Sequence, residues 1–173
     1  ETAKEDELWT GKWIEPVRQL QRMPLARKLF RLPAKTIRKA RVYATGLGIY
    51  ELYLNGEKIG DEYLAPGFHS YDFWQQYQTY DVTEALQAGG NAIGFMLGDG
   101  WFKGRFGFDG GYEDLYGDQF RLIAECIVTY EDGTEEIIAS DDTWEVAEGP
   151  LVSSSIYDGE VYDANLEIDG WNK

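Results

Sequence analysis

Two short stretches hold most of the side chains able to do chemistry. The first, LGDGWFKGRFGF at 97–108, sets Asp99, Lys103 and Arg105 among Trp101, Phe102, Phe106 and Phe108, with glycine at 98, 100, 104 and 107. The second, YDGEVYDA at 157–164, holds Tyr157, Asp158, Glu160 and Asp163. Aromatic faces cover the C–H patches of sugars, while carboxylates, Lys and Arg bond hydroxyls in pairs. Both stretches are therefore candidates for carbohydrate binding, or for docking against a neighbouring domain. Inverting glycoside hydrolysis asks for more: two carboxyls roughly 6.5–9.5 Å apart, one with a raised pKa. Asp158, Glu160 and Asp163 are the densest such trio, but their turn-like sequence offers no apolar wall to raise a pKa. They read as structural or interfacial, and no catalytic residue is assigned. Calcium takes 6–8 oxygen ligands, and the loops SDDT, EDG and YDGEVYD offer carboxylates. None has a regular ligand spacing, so solvated acidic loops are expected, with no cofactor and no metal ligand assigned; structural calcium is the one cofactor these loops could hold.

His69 is the only histidine, which excludes a multi-histidine zinc site. A Ser-His-Asp set is arithmetically open, but no GxSxG elbow accompanies it. Cys126 is the only cysteine, so an intrachain disulfide is excluded. In FRLIAECIVTY it shares a face with Phe120, Leu122, Ala124, Val128 and Tyr130, which makes it a core residue and not a nucleophile.

The formal charge of −15 is unevenly placed. Residues 1–41 hold 11 of the 16 Lys and Arg against five acids; the remainder holds five basic residues against 26 acids. So acidic a body repels nucleic acid and anionic membrane surfaces, and the basic arm is expected to pack against it. No run of 18 apolar residues and no signal-like start is present, which favours a cytoplasmic compartment over a secreted one.

The elements that must position these residues are strands. KARVYATG and GIYELYLNGEKIGD alternate as half-buried strands, and Asn55-Gly56 falls where a hairpin turn belongs. LARKLFRLP reads as an opening strand ending at Pro33. QYQTYDVTEAL reads as a strand to Asp81, followed by one helical turn capped by Thr83 and broken at Gly89-Gly90. NAIGFMLG is the next strand, DQFRLIAECIVTYEDGTEEIIAS two more about Asp132-Gly133, and TWEVAEGPLVSSSIYDGEVYDA two further short segments. With no long amphipathic helix after residue 42, this is an all-β chain: an antiparallel β-sandwich. Leu52, Leu54, Ile93, Phe95, Leu97, Leu122, Ala124 and Cys126 share the core phase. Residues 1–39 form an arm with the opening strand, and residues 40–173 the sandwich, in one compact unit.

From Ala40 to Trp171 the sequence resembles one family, the N-terminal domain of bacterial α-L-rhamnosidases of glycoside hydrolase family 78. The blocks GLGIYELYLNGEKIGDEYLAPGFHSYD, YQTYDVTEAL, GGNAIGFMLGDGWFKGR, YGD, VTYEDGTEEII, DDTWEV, YDGEVYDA and GW carry the resemblance, in order, over about three quarters of the chain. It implies a jelly-roll-like sandwich of the galactose-binding type. It also implies that hydrolysis of terminal α-L-rhamnose falls to a helical barrel elsewhere in the same polypeptide, acting on plant or bacterial glycans. Asn165 stands where the family often has Arg, and Phe102 where Tyr is common.

The expected function is thus a non-catalytic accessory domain that supports or shapes the active site of that barrel. A freestanding rhamnose-binding module and a structural spacer remain the alternatives. In the accessory reading 98–108 is a docking loop. Its four glycines take positive φ, Trp101 plugs the sandwich end, and Lys103 and Arg105 pair with Asp99, Asp118 or Asp158.

Overall fold

The computed structural model describes residues 9–173. In chain order the strands are β1 (Pro24–Leu32), β2 (Ile37–Leu47), β3 (Ile49–Leu54), β4 (Glu57–Ile59), β5 (Gln78–Asp81), β6 (Gly89–Gly98) and β7 (Arg105–Phe106). They continue as β8 (Tyr112–Glu113), β9 (Arg121–Tyr130), β10 (Glu135–Ala139), β11 (Glu145–Glu148), β12 (Leu151–Ser155) and β13 (Gly159–Tyr162). A first sheet runs β11-β1-β6-β3-β4 and a second β10-β9-β2-β5, while β7-β8 and β12-β13 are separate ribbons. Every pairing between these strands is antiparallel. The architecture is the expected sandwich.

Alternation fixes which faces meet. In the first sheet Tyr50, Leu52 and Leu54 of β3 stand opposite Leu97, Phe95 and Ile93 of β6. In the second, Ala40, Val42 and Ala44 of β2 stand opposite Val128, Cys126 and Ala124 of β9. All belong to one buried cluster, so the first sheet supplies bulk and the second mostly smaller side chains. The eight core residues expected from periodicity are at most 3% exposed. Each buried Leu, Ile or Phe contributes about 1.5–3 kcal/mol by leaving water. Burial also pushes the Cys126 thiol up to about 12, the state of an inert core thiol.

At the β3–β4 hairpin Asn55 and Gly56 take φ of 51° and 93°, the type I′ turn that matches strand twist. The Asn55 side chain donates to Ala85 O and Asn91 Oδ1 and accepts from Ala92 N–H, tying the turn to β6.

The basic arm lies on its own acidic body. Arg22 pairs with Glu148, Arg27 with Glu145, Lys28 with Asp141 and Lys35 with Asp132. Residues 1–8 of the arm lie outside the described residues, and with them most of the start read for a leader. A boundary at residue 39 falls inside β2, and β1 is an interior strand of its sheet, between β11 and β6. Further back, Thr10 and Gly11 donate their N–H groups to the buried Glu125 carboxylate, and Ile14 bridges Leu122.

Three local expectations change. The turn after β5 is a short 3₁₀ turn, Thr83–Ala85, with Val82 at its N-cap. Thr83 lies inside it, and its hydroxyl instead accepts the Ala40 N–H at 2.9 Å, just beyond the last β2–β5 pair, Arg41–Asp81. Strand β6 already begins at Gly89. The 143–164 stretch forms three strands, not two, since Pro150 separates β11, on the first sheet, from the β12-β13 ribbon.

Candidate functional site

Two crossovers build one end of the sandwich. Residues 60–77 carry the chain from β4 in the first sheet to β5 in the second, and residues 99–120 carry it from β6 to β9. Loops that change sheets have no period to obey, so discrete contacts must hold them.

In the second crossover those contacts are ionic. Lys103 Nζ donates to Asp99 Oδ1 at 2.7 Å and lies 4.5 Å from the centre of the buried Phe120 ring. The Gly104 N–H donates to Asp114 Oδ1 at 2.8 Å, closing the base of the β7-β8 ribbon. Arg105 forms a fork on Asp158, Nε to Oδ2 at 2.9 Å and Nη2 to Oδ1 at 2.7 Å, while Nη1 donates to Gly107 O. The guanidinium also stacks 4.8 Å over Tyr157. Arg105, then the Ser155 hydroxyl, holds the Asp158 carboxyl below the usual range, and Asp158 raises Arg105 in return. The expected pairing of both cations is thus met by Asp99 and Asp158; no bond to Asp118 is seen.

Around this brace lies a network of aromatic rings. Phe68 packs near Tyr71, Trp101 and Phe106 at 6.1, 6.3 and 5.7 Å. Tyr71 in turn meets Phe102 at 5.2 Å and Tyr116 at 5.0 Å, and burial pushes its pKa up to about 12. Phe108 sits edge-on to Tyr157 at 5.3 Å. The outer rim is open: Phe73 is 85%, Phe108 83% and Tyr112 70% exposed. These three exposed rings lie on the two crossovers, Phe73 on the first and Phe108 and Tyr112 on the second.

Two features differ from expectation. Trp101 is only half-buried and lies outside the core cluster, against Phe68; Trp144, near Phe95, fills the core instead. The loop leaves β6 outward, so its first large ring faces the other crossover. Of the four glycines, Gly104 and Gly107 take positive φ as expected. Gly98 and Gly100 do not: a side chain on them would strike Ser154 and Ile49 at 2.8 Å, so they serve close approach.

The acidic trio does not converge. Asp158 belongs to Arg105, and Asp163 accepts from the N–H and the side-chain amide of Asn165, capping the 3₁₀ turn Ala164–Leu166. Among the described residues the Glu160 side chain has no hydrogen bond or ion pair. The carboxyls that are shifted, Asp81, Asp132, Asp141 and Asp158, all move down, opposite to what a general acid needs. Among the described residues no group of three or more His, Cys, Asp or Glu side chains is placed to hold a metal. His69 is fully buried between Tyr71 and Trp74, and neither ring nitrogen has a hydrogen bond of normal geometry. It is no part of a triad. Tyr77 packs edge-on against Trp9 at 5.6 Å and Tyr43 at 6.0 Å.

Sequence reading missed Phe68, Tyr116 and Asp114, which complete the loop end, because none sits in a periodic run. It also missed Glu125, although a lone acid inside an apolar strand was a usable signal. Among the described residues no helix is long and apolar enough to cross a membrane.

These features define an antiparallel jelly-roll-like sandwich whose ion-braced aromatic loops gather at one end. A family described as the α-L-rhamnosidase N-terminal domain matches residues 35–173, and the chain belongs to that family. An α-L-rhamnosidase of Streptomyces avermitilis is 46% identical over 142 residues, covering 82% of this chain and 14% of that protein. One from Formosa agariphila is 35% identical over 176 residues, covering 94% and 19%. The crystal structure of the native enzyme from Aspergillus terreus superposes with a TM-score of 0.85 at 43% identity, over 92% of this chain and 18% of that one. This chain therefore spans less than a fifth of the length of these relatives.

Proposed function

We propose that this chain is a non-catalytic accessory domain of an α-L-rhamnosidase, and that its aromatic loop end docks the catalytic domain of the same polypeptide. The observation that carries the proposal is the build of that end: a rigid ionic brace under a rim of exposed aromatics. Contacts between domains of one chain bury about 600–1,500 Å² and mix polar with apolar groups, which is this rim's composition. The relatives are several times longer than the chain, which leaves room for the barrel that the family resemblance implies. The lowered carboxyls and the scattered trio argue that hydrolysis of terminal α-L-rhamnose happens elsewhere.

The test is Phe106→Ala and Arg105→Ala, made both in this chain and in the full-length rhamnosidase. Docking predicts that the full-length variants lose thermal stability or activity while the 173-residue chain still folds. It also predicts no hydrolysis of an aryl α-L-rhamnoside by the chain alone. Turnover by the purified chain that vanishes in Glu160→Gln would overturn the non-catalytic role. An affinity of the chain for L-rhamnose that either loop variant abolishes would replace docking with sugar binding at that loop.

A further inference from the structure

The Asn55-Gly56 pair at the β3–β4 turn carries a chemistry that neither the core nor the loop end uses. Of the four asparagines, at 55, 91, 165 and 172, only Asn55 is followed by glycine. The turn selects this pair because both positions take positive φ, 51° and 93°, which Asn and Gly tolerate best. The same pair is the one most open to deamidation. Glycine has no side chain to shield its backbone nitrogen from the carboxamide beside it.

In the folded chain that carboxamide is held by three bonds. Asn55 Nδ2 donates to Ala85 O at 2.8 Å and to Asn91 Oδ1 at 2.9 Å, while Oδ1 accepts the Ala92 N–H at 2.9 Å. Both Nδ2 hydrogens are thus used. Asn91, 5% exposed, is fixed in turn: its Oδ1 also accepts the Gln87 N–H, and its Nδ2 donates to Gln87 O and Gly89 O. The Asn55 N–H donates to Ala92 O, and the Lys173 side chain lies so close to Gly56 that a Cβ there would meet it at 2.8 Å. Attack on the carboxamide carbon makes it tetrahedral and expels Nδ2, which these bonds oppose.

We propose that Asn55 is a deamidation site gated by the fold, reacting only when the turn opens and the carboxamide leaves its partners. The Gly56 backbone nitrogen then bonds to Asn55 Cγ, the Cγ–Nδ2 bond breaks, and Nδ2 departs as ammonia with the Gly56 amide proton. Water opens the resulting succinimide at either carbonyl, giving aspartate or isoaspartate. The new carboxylate accepts but cannot donate, so Ala85 O and Asn91 Oδ1 both lose their donor. Isoaspartate also adds a methylene to the backbone of a hairpin whose Leu54–Glu57 pairing leaves a two-residue loop. A transient opening thereby becomes permanent damage to the turn. None of this depends on where a catalytic domain docks.

The test is incubation of the 173-residue chain at mildly alkaline pH, in buffer and in guanidinium chloride. The amide-to-acid mass change is read on the peptide that holds Asn55. In denaturant Asn55 should convert faster than Asn91, Asn165 and Asn172. In buffer it should convert at least about tenfold more slowly than in denaturant, because only the open fraction reacts. Low guanidinium concentrations should raise the native rate in step with hydrogen exchange of the Asn55 and Ala92 amides. Asn91→Ala removes one acceptor and should speed native conversion about fivefold, leaving the denatured rate unchanged. The converted chain, isolated by its added negative charge, should unfold at lower denaturant. Equal rates in buffer and denaturant, no preference for Asn55 in denaturant, or conversion unrelated to amide exchange would each overturn the proposal. So would a folded Asn91→Ala variant with no acceleration, or an unchanged unfolding midpoint after conversion. If Asn91→Ala does not fold, the guanidinium series on the unaltered chain decides.

Discussion

The sandwich interior and its loop end are both rich in aromatic and apolar side chains, yet they are held together by different physics. In the interior, Phe95 is fully enclosed, with Tyr50 at 5.4 Å and Trp144 at 5.9 Å. At the loop end, Phe106 is only half-buried, with Phe68 at 5.7 Å and Tyr116 at 6.4 Å. What fixes the loop is the Arg105–Asp158 fork and the Lys103–Asp99 pair, not enclosure. A surface held from behind by charge keeps its rings in place without burying them. That is the condition a docking surface must meet: ordered before its partner arrives, yet still able to bury area when it does.

The largest effect that would sharpen this contrast is on stability. Phe95→Ala should cost about 3–5 kcal/mol in urea unfolding of the chain, through lost burial and a cavity. Phe106→Ala should cost only about 1 kcal/mol, because that residue is already partly exposed in the folded chain. Equal losses would mean that the loop end is core, and the distinction would collapse.

A smaller effect concerns pH. His69 is buried at the inner edge of the loop end, and desolvation lowers its pKa below 6.5, partly countered by the Pro66 carbonyl. The neutral ring is therefore the folded form. At pH above 6.5 both folded and unfolded chains carry neutral His69, and its contribution is constant. As pH falls below 6.5 the unfolded chain takes up the proton first, so stability declines until the depressed folded pKa is reached. Measured midpoints in this window should fall in the native chain and stay flat in His69→Phe. Equal slopes in both would show that the imidazole is not the group responsible.

The same contrast explains what could be read from the sequence. The sheets were legible because a strand with one buried face repeats every second residue. Leu52, Leu54, Ile93, Phe95 and Leu97 announce their side from spacing alone, and Asn55-Gly56 names its turn. The loop's ion pairs were legible because Lys103 and Arg105 are rare cations in an acidic stretch and had few other partners. Trp101 was misplaced since a loop ring's direction depends on the crossover beside it, where its partner Phe68 lies 33 residues away in the chain. The seating of the β12-β13 ribbon was invisible for a related reason. Its Ser154 and Glu160 become neighbours only through strand register, and Gly98, which lets the ribbon settle, looks like any other loop glycine.

Amide hydrogen exchange of residues 99–118, compared between the 173-residue chain and the full-length rhamnosidase, tests the docking claim most directly. The account predicts that amides around Phe106, Phe108 and Tyr112 exchange markedly more slowly in the full-length protein, while those of β6 and β9 are unchanged. Identical exchange in the two proteins across 99–118 would contradict it.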